Sequence, residues 1–135
     1  MRVVFDTNCL LRVLPRNSPY RSLWDAFLRG DFKLCYTTDI LHEYEEILSQ
    51  FYSLKIAEYA VGTMIKSANS VQVIPFYKWN LIPADPDDNK FVDCALNANA
   101  DYIVTNDKHF NVLKELDFPL IKVIDITAFK DMLKL

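Results

Sequence analysis

Five short apolar runs punctuate the chain, and a helical pattern follows most of them. The runs are "RVVF" (2–5), "FKLCYT" (32–37), "VQVI" (71–74), "DYIVT" (101–105) and "LIKVID" (120–125). Each has the length and the β-branched or aromatic character of a strand. A short helix over 8–13 stops before Pro15. Ser18 or Asn17 then caps a second, with Leu23, Trp24, Phe27 and Leu28 at helical spacing and Gly30 closing it. Thr38 or Asp39 caps a helix over 39–51, whose stripe is Ile40, Leu41, Tyr44, Ile47, Leu48 and Phe51. Another covers 53–68. Pro75, Pro83 and Pro86 bracket an irregular loop before the helix of "PDDNKFVDCALNA", where Phe91, Val92, Ala95 and Leu96 face inward. A helical piece over 110–115 and a last helix from Thr127 complete the chain. This alternation is the signature of an α/β fold with a largely parallel sheet.

A length of 135 residues suits one domain spanning 1–135, and 51% hydrophobic residues suffice for its core. No apolar stretch approaches the roughly 18 residues of a membrane span. Cys9, Cys35 and Cys94 are widely spaced and form no CxxC pair, which fits buried, reduced thiols in a cytosolic protein. His42 and His109 lie in no zinc motif. The net charge of −3 is unevenly spread: residues 1–38 sum to +3 and residues 39–135 to −6. Arg12, Arg16 and Arg21 gather around "LPRNSPYR", either as a solvated loop or as a phosphate-gripping rim beside an acidic centre.

In open α/β sheets ligands bind beyond the carboxyl ends of the strands. Asp6 directly follows the first run, and Asp107 lies two residues after "DYIVT". Asp88 falls in the first turn of its helix, and Glu43 near the start of the helix after "FKLCYT". Glu45 flanks the same apolar stripe, so the helical wheel alone does not choose between it and Glu43. Asp85 and Asp87 read as loop or capping acids, and Asp93 as a flanking acid. Singly, each of the four also suits a helix N-terminus. Together they would repel one another, and a divalent cation removes that penalty. Oxygen donors favour Mg²⁺ or Mn²⁺, which supply what phosphodiester hydrolysis needs. On this reading capping passes to Thr7 or Asn8, leaving Asp6 to face the cation.

"VVFDTNCLL", "TTDILHEYEEIL", "DPDDNKFVDCALNANADYIVTND" and "VIDITAFKDML" together resemble a PIN domain, most closely the toxin components of toxin–antitoxin systems (VapC-like ribonucleases). The resemblance implies a three-layer α/β/α sandwich around a central, mainly parallel sheet of four to five strands. It implies a ribonuclease using one or two Mg²⁺ or Mn²⁺ ions, acting in the cytoplasm on single-stranded RNA. The family's acids fall on Asp6, Glu43, Asp88 and Asp107, with Asp93 at a place that often carries an acid for a second metal. Thr7, Asn8 and Thr105 match polar positions that orient the acids, although Thr7 and Asn8 also suit capping. Arg12, Arg16, Arg21 and Lys108 are the candidates for holding phosphates. An antitoxin partner and a homodimer also follow from the resemblance. Two departures stand out: Asn97 and Asn99 occupy a turn where the family commonly has glycine, and Asn106 sits where a smaller residue is usual.

Two other readings use the same acids. A haloacid dehalogenase-like phosphatase wants a second Asp two residues after the first, where this chain has Asn8. A receiver-like interaction module wants paired acids after its first strand, and Asp6 stands alone there.

Overall fold

The computed structural model describes residues 1–82 and 86–135, so Pro83 and Asp85 lie outside the described residues. Five parallel strands form one sheet: β1 (Arg2–Phe5), β2 (Lys33–Tyr36), β3 (Ser70–Gln72), β4 (Tyr102–Val104) and β5 (Val123–Ile124). Their order is β3-β2-β1-β4-β5. The chain thus winds outward from β1 in one direction, then returns and winds outward in the other. The crevice where the direction reverses lies between the ends of β1 and β4, which is where α/β sheets place their ligands.

The helices are α1 (Thr7–Val13), α2 (Arg21–Arg29), α3 (Thr38–Phe51), α4 (Leu54–Lys66), α5 (Asn89–Ala98) and α6 (Ile126–Met132), with 3-10 turns over Pro86–Asp88 and Lys108–Glu115. The register Val3↔Leu34 puts Val3, Phe5 and Leu34 on one face of the sheet. There the Phe5 ring meets Phe32 at 5.8 Å and Phe129 of α6 at 6.0 Å, and Phe27 of α2 meets Phe32 at 6.3 Å. On the opposite face Cys35 lies close to Cys94 of α5, which in turn lies close to Tyr44 of α3. Helices therefore cover both faces, giving the expected three layers. All three thiols are free and buried.

Helix ends follow local chemistry, with small shifts from expectation. Thr37, not Thr38 or Asp39, caps α3, its hydroxyl accepting the Ile40 N–H at 3.2 Å. Three consecutive residues here are good caps, and the end of β2 selects the first. Helix α2 starts only at Arg21 and has no side-chain cap; the Ser18 hydroxyl instead accepts the Tyr20 N–H at 3.0 Å in a turn ahead of it. Gly30 closes α2 at φ 90, as its position suggests.

The missing glycine after α5 also has an explanation. Asn99 takes the left-handed conformation at φ 51, and its N–H bonds the Leu96 carbonyl. Asparagine is the side chain that best tolerates this region after glycine. Asn99→Gly should leave stability unchanged or slightly raised, whereas Asn99→Ala should lower it by about 1 kcal/mol, read as a shift in the urea midpoint.

Candidate active site

Asp6 is placed by the strand it ends. Its own N–H bonds the Val104 carbonyl at 3.1 Å, so the backbone stays paired to β4 one residue beyond β1. Its ψ of 162 is extended, which makes it the residue that caps α1: Oδ1 accepts the Cys9 N–H at 2.9 Å. Capping therefore does not pass to Thr7 or Asn8. The other oxygen, Oδ2, accepts a hydrogen bond from the buried Thr105 hydroxyl. The Thr105 oxygen in turn accepts the Asp107 N–H at 3.0 Å. One hydroxyl thus joins the acid after β1 to the segment carrying the acid after β4.

Thr7 and Glu43 form the next link. The buried Thr7 hydroxyl donates to Glu43 Oε2, and Lys90 Nζ of α5 lies 2.6 Å from Glu43 Oε1. Below them the fully buried Tyr44 hydroxyl donates to the Phe5 carbonyl, anchoring α3 to the end of β1. Asp88, closing the 3-10 turn before α5, joins the group through His109. The imidazole Nδ1 lies 3.6 Å from Asp88 Oδ2 and 3.4 Å from Asp107 Oδ1. Asp88, Asp107 and His109 each present one donor atom, all within 4.8 Å of one another. This mixed set of hard oxygens and one imidazole fits a divalent cation.

Asp6, Asn8, Cys9, Leu11, Arg12, Asn106 and Asp107 line a cavity of about 350 Å³ at the crevice. Asn8 is exposed on its wall, and Arg12 is the basic residue that reaches it. Arg16 and Arg21 line a different cavity, of about 340 Å³, with Tyr52, Ile56 and Tyr59. Arg21 is also engaged with Asp25 at 3.3 Å and with the Leu14 carbonyl. The arginine-rich loop is therefore divided between two surfaces. Lys108 is exposed at the start of the 3-10 turn after Asp107.

Asp93 faces elsewhere. It is buried on α5, and its Oδ1 accepts the Trp79 N–H at 3.0 Å. One turn earlier Asn89 Oδ1 accepts the Ile82 N–H at 2.8 Å; one turn later Asn97 Oδ1 accepts the Phe76 N–H at 3.2 Å. Positions 89, 93 and 97 make one polar row along the helix that holds the segment after β3 against it. Sequence reasoning overlooked this row, and it overlooked Lys90 and His109. The last two each stand two residues after a predicted acid, and that spacing was the available signal.

A family model described as "PIN domain" matches residues 2–109 of the chain. The chain belongs to the PIN domain family. Its fold is also similar to that of VapBC2 from Rickettsia felis, solved bound to a DNA fragment from their promoter, at a TM-score of 0.63 and 14% identity over 93% of this chain and 98% of that chain. FitAcB from Neisseria gonorrhoeae is similar at a TM-score of 0.57 and 12% identity, again over 93% and 98%. At such identities the likeness is one of fold. No curated protein matches the sequence. Among the described residues of this PIN domain, no helix is long and apolar enough to cross a membrane.

The electrostatics of the PIN domain's crevice follow from burial. Desolvation holds the Asp6 carboxyl above its ordinary value, opposed by the hydrogen bonds from Thr105 and Cys9 and reinforced by the nearby Asp107 charge. The folded, metal-free protein thus binds the Asp6 proton more tightly than the unfolded chain. The ionised form costs stability, and that cost appears as pH rises from about 4, the unfolded value. Asp6→Asn keeps an oxygen on the Cys9 N–H and removes the charge. In EDTA at pH 7 the variant should melt at a higher temperature than the parent, and the gap should close as pH falls below about 4.

Proposed function

We propose that this PIN domain is a metal-dependent endoribonuclease that hydrolyses phosphodiester bonds of single-stranded RNA. The observation that carries this reading is the gathering of donor atoms of Asp88, Asp107 and His109 within 4.8 Å of one another, beside Asp6, which Thr105 ties to the Asp107 backbone. Asp6, Glu43, Asp88 and Asp107 would hold one or two Mg²⁺ or Mn²⁺ ions. A bound cation supplies Lewis acidity for attack at phosphorus and for departure of the leaving oxygen. The chain's own residues do the rest. Thr105 and the Cys9 N–H fix the Asp6 carboxylate, and Thr7 and Lys90 fix that of Glu43. Arg12 lies on the cavity wall, where an RNA phosphate is drawn to a guanidinium. Lys108 adds positive charge beside Asp107.

Biologically, the resemblance to toxin components supports a toxin restrained by a cognate antitoxin, acting in the cytoplasm and forming a homodimer. The phosphatase and receiver-like readings gain nothing from the structure. The position two residues after Asp6 carries an exposed amide, Asn8, where the phosphatase reading needs an acid.

Labelled single-stranded RNA incubated with the protein and Mn²⁺ should be cut, and EDTA should abolish cutting. Asp6→Asn and Asp88→Asn should each lose more than the roughly 10–100-fold that removing an outer partner of a metal ligand costs. Cutting that persists in EDTA or in both variants would sink the proposal. Phosphate release from a monoester without RNA cleavage would hand the site to the phosphatase reading.

A further inference from the structure

We propose that His109 is a nitrogen ligand to the cation held by Asp88 and Asp107, so that the site selects first-row transition ions over Mg²⁺. The proposal rests on the metal-dependent reading above. Nδ1 stands 3.4 Å from Asp107 Oδ1 and 3.6 Å from Asp88 Oδ2. Both separations exceed the 2.7–3.2 Å of a well-made N–H···O hydrogen bond. They are close to the spacing of donors sharing one ion: metal–donor distances of about 2.0–2.2 Å place neighbouring donors roughly 3.0–3.5 Å apart. The Asp107 carboxylate is held beside the ring, since the His109 backbone N–H donates to its Oδ1 at 2.9 Å. The same oxygen therefore faces both the peptide and the ring.

The chemistry of the donor sets the consequence. Mg²⁺ keeps oxygen ligands and its waters, whereas imidazole suits the later first-row ions. A site of carboxylates alone would not discriminate in this way. Replacing the imidazole should therefore change which ion is preferred more than whether ions bind at all. The ring is about half exposed, with 47% of the side chain accessible, so its removal leaves the core intact.

Isothermal titration of the untagged protein with MgCl₂ and with CoCl₂ tests this, with the visible d–d spectrum of bound Co²⁺ as a second readout. His109→Ala should weaken Co²⁺ by about tenfold or more, the scale at which even outer partners act. Mg²⁺ affinity should move far less, and the Co²⁺ spectrum should shift. His109→Asp should restore tight binding with Mg²⁺ gaining relative to Co²⁺. His42, the second histidine of the chain, sits on exposed α3 surface, and His42→Ala should change neither titration nor spectrum. Unchanged Co²⁺ affinity and spectrum in His109→Ala, with both ions lost in Asp88→Asn, would overturn the His109 assignment while leaving the metal-dependent reading intact. Failure of the unmodified protein to bind either ion would overturn both.

Discussion

A carboxylate buried at the end of the central strand is the constraint on which the rest of the site depends. Asp6 is 5% exposed, and an ionised carboxyl in such a place is expensive unless it is paired and hydrogen-bonded. The fold offsets part of that cost with two donors from different elements: the Cys9 N–H at the start of α1 and the Thr105 hydroxyl after β4. A hydroxyl has one proton, and here Asp6 receives it, so the Asp107 N–H can only turn toward the same oxygen as a donor. The orientation of one threonine thereby fixes the spacing of two segments that are a hundred residues apart in sequence. Both lie where the sheet reverses direction, so strand order itself assembles the crevice.

Around this anchor, nitrogen-bearing side chains stand among the carboxylates. Lys90 meets Glu43, and the His109 ring stands between Asp88 and Asp107. Two like charges 4 Å apart repel by about 4 kcal/mol at the effective dielectric of a protein surface. The Lys90 ammonium offsets part of that repulsion at Glu43. A divalent cation entering the cluster would offset that repulsion with more charge in less space.

The sheet, and the places of Asp6 and Asp107 at its edge, were readable because each rests on a local signal. Strand runs carry their own apolar pattern, and Asp6 and Asp107 are counted directly from the ends of two such runs. What was not readable depends on contacts between distant segments. Three successive cap-forming residues, Thr37, Thr38 and Asp39, cannot be ranked until the end of β2 is known. The sequence suggests a single role for Asp6, because nothing local says that one oxygen can cap a helix while the other meets Thr105. Lys90 and His109 look like ordinary surface residues until α5 and the segment after β4 are brought beside Glu43 and Asp88. Asn99, by contrast, was visible as a departure, and its left-handed backbone supplies the reason.

Asp93 bears on how many ions the crevice would hold. Its place on α5 suited a second metal, yet its Oδ1 is committed to the Trp79 N–H within the row formed with Asn89 and Asn97. Burial also raises its carboxyl above the ordinary value, although the Trp79 hydrogen bond opposes this. Drawing that oxygen onto a metal would leave the Trp79 amide without its acceptor, at about 1–3 kcal/mol if the group stayed buried. It would also loosen the middle of three contacts that hold the segment after β3 to the helix. Asp93 therefore belongs to the support of the segment after β3, one turn along α5 from Asn89 and one turn before Asn97.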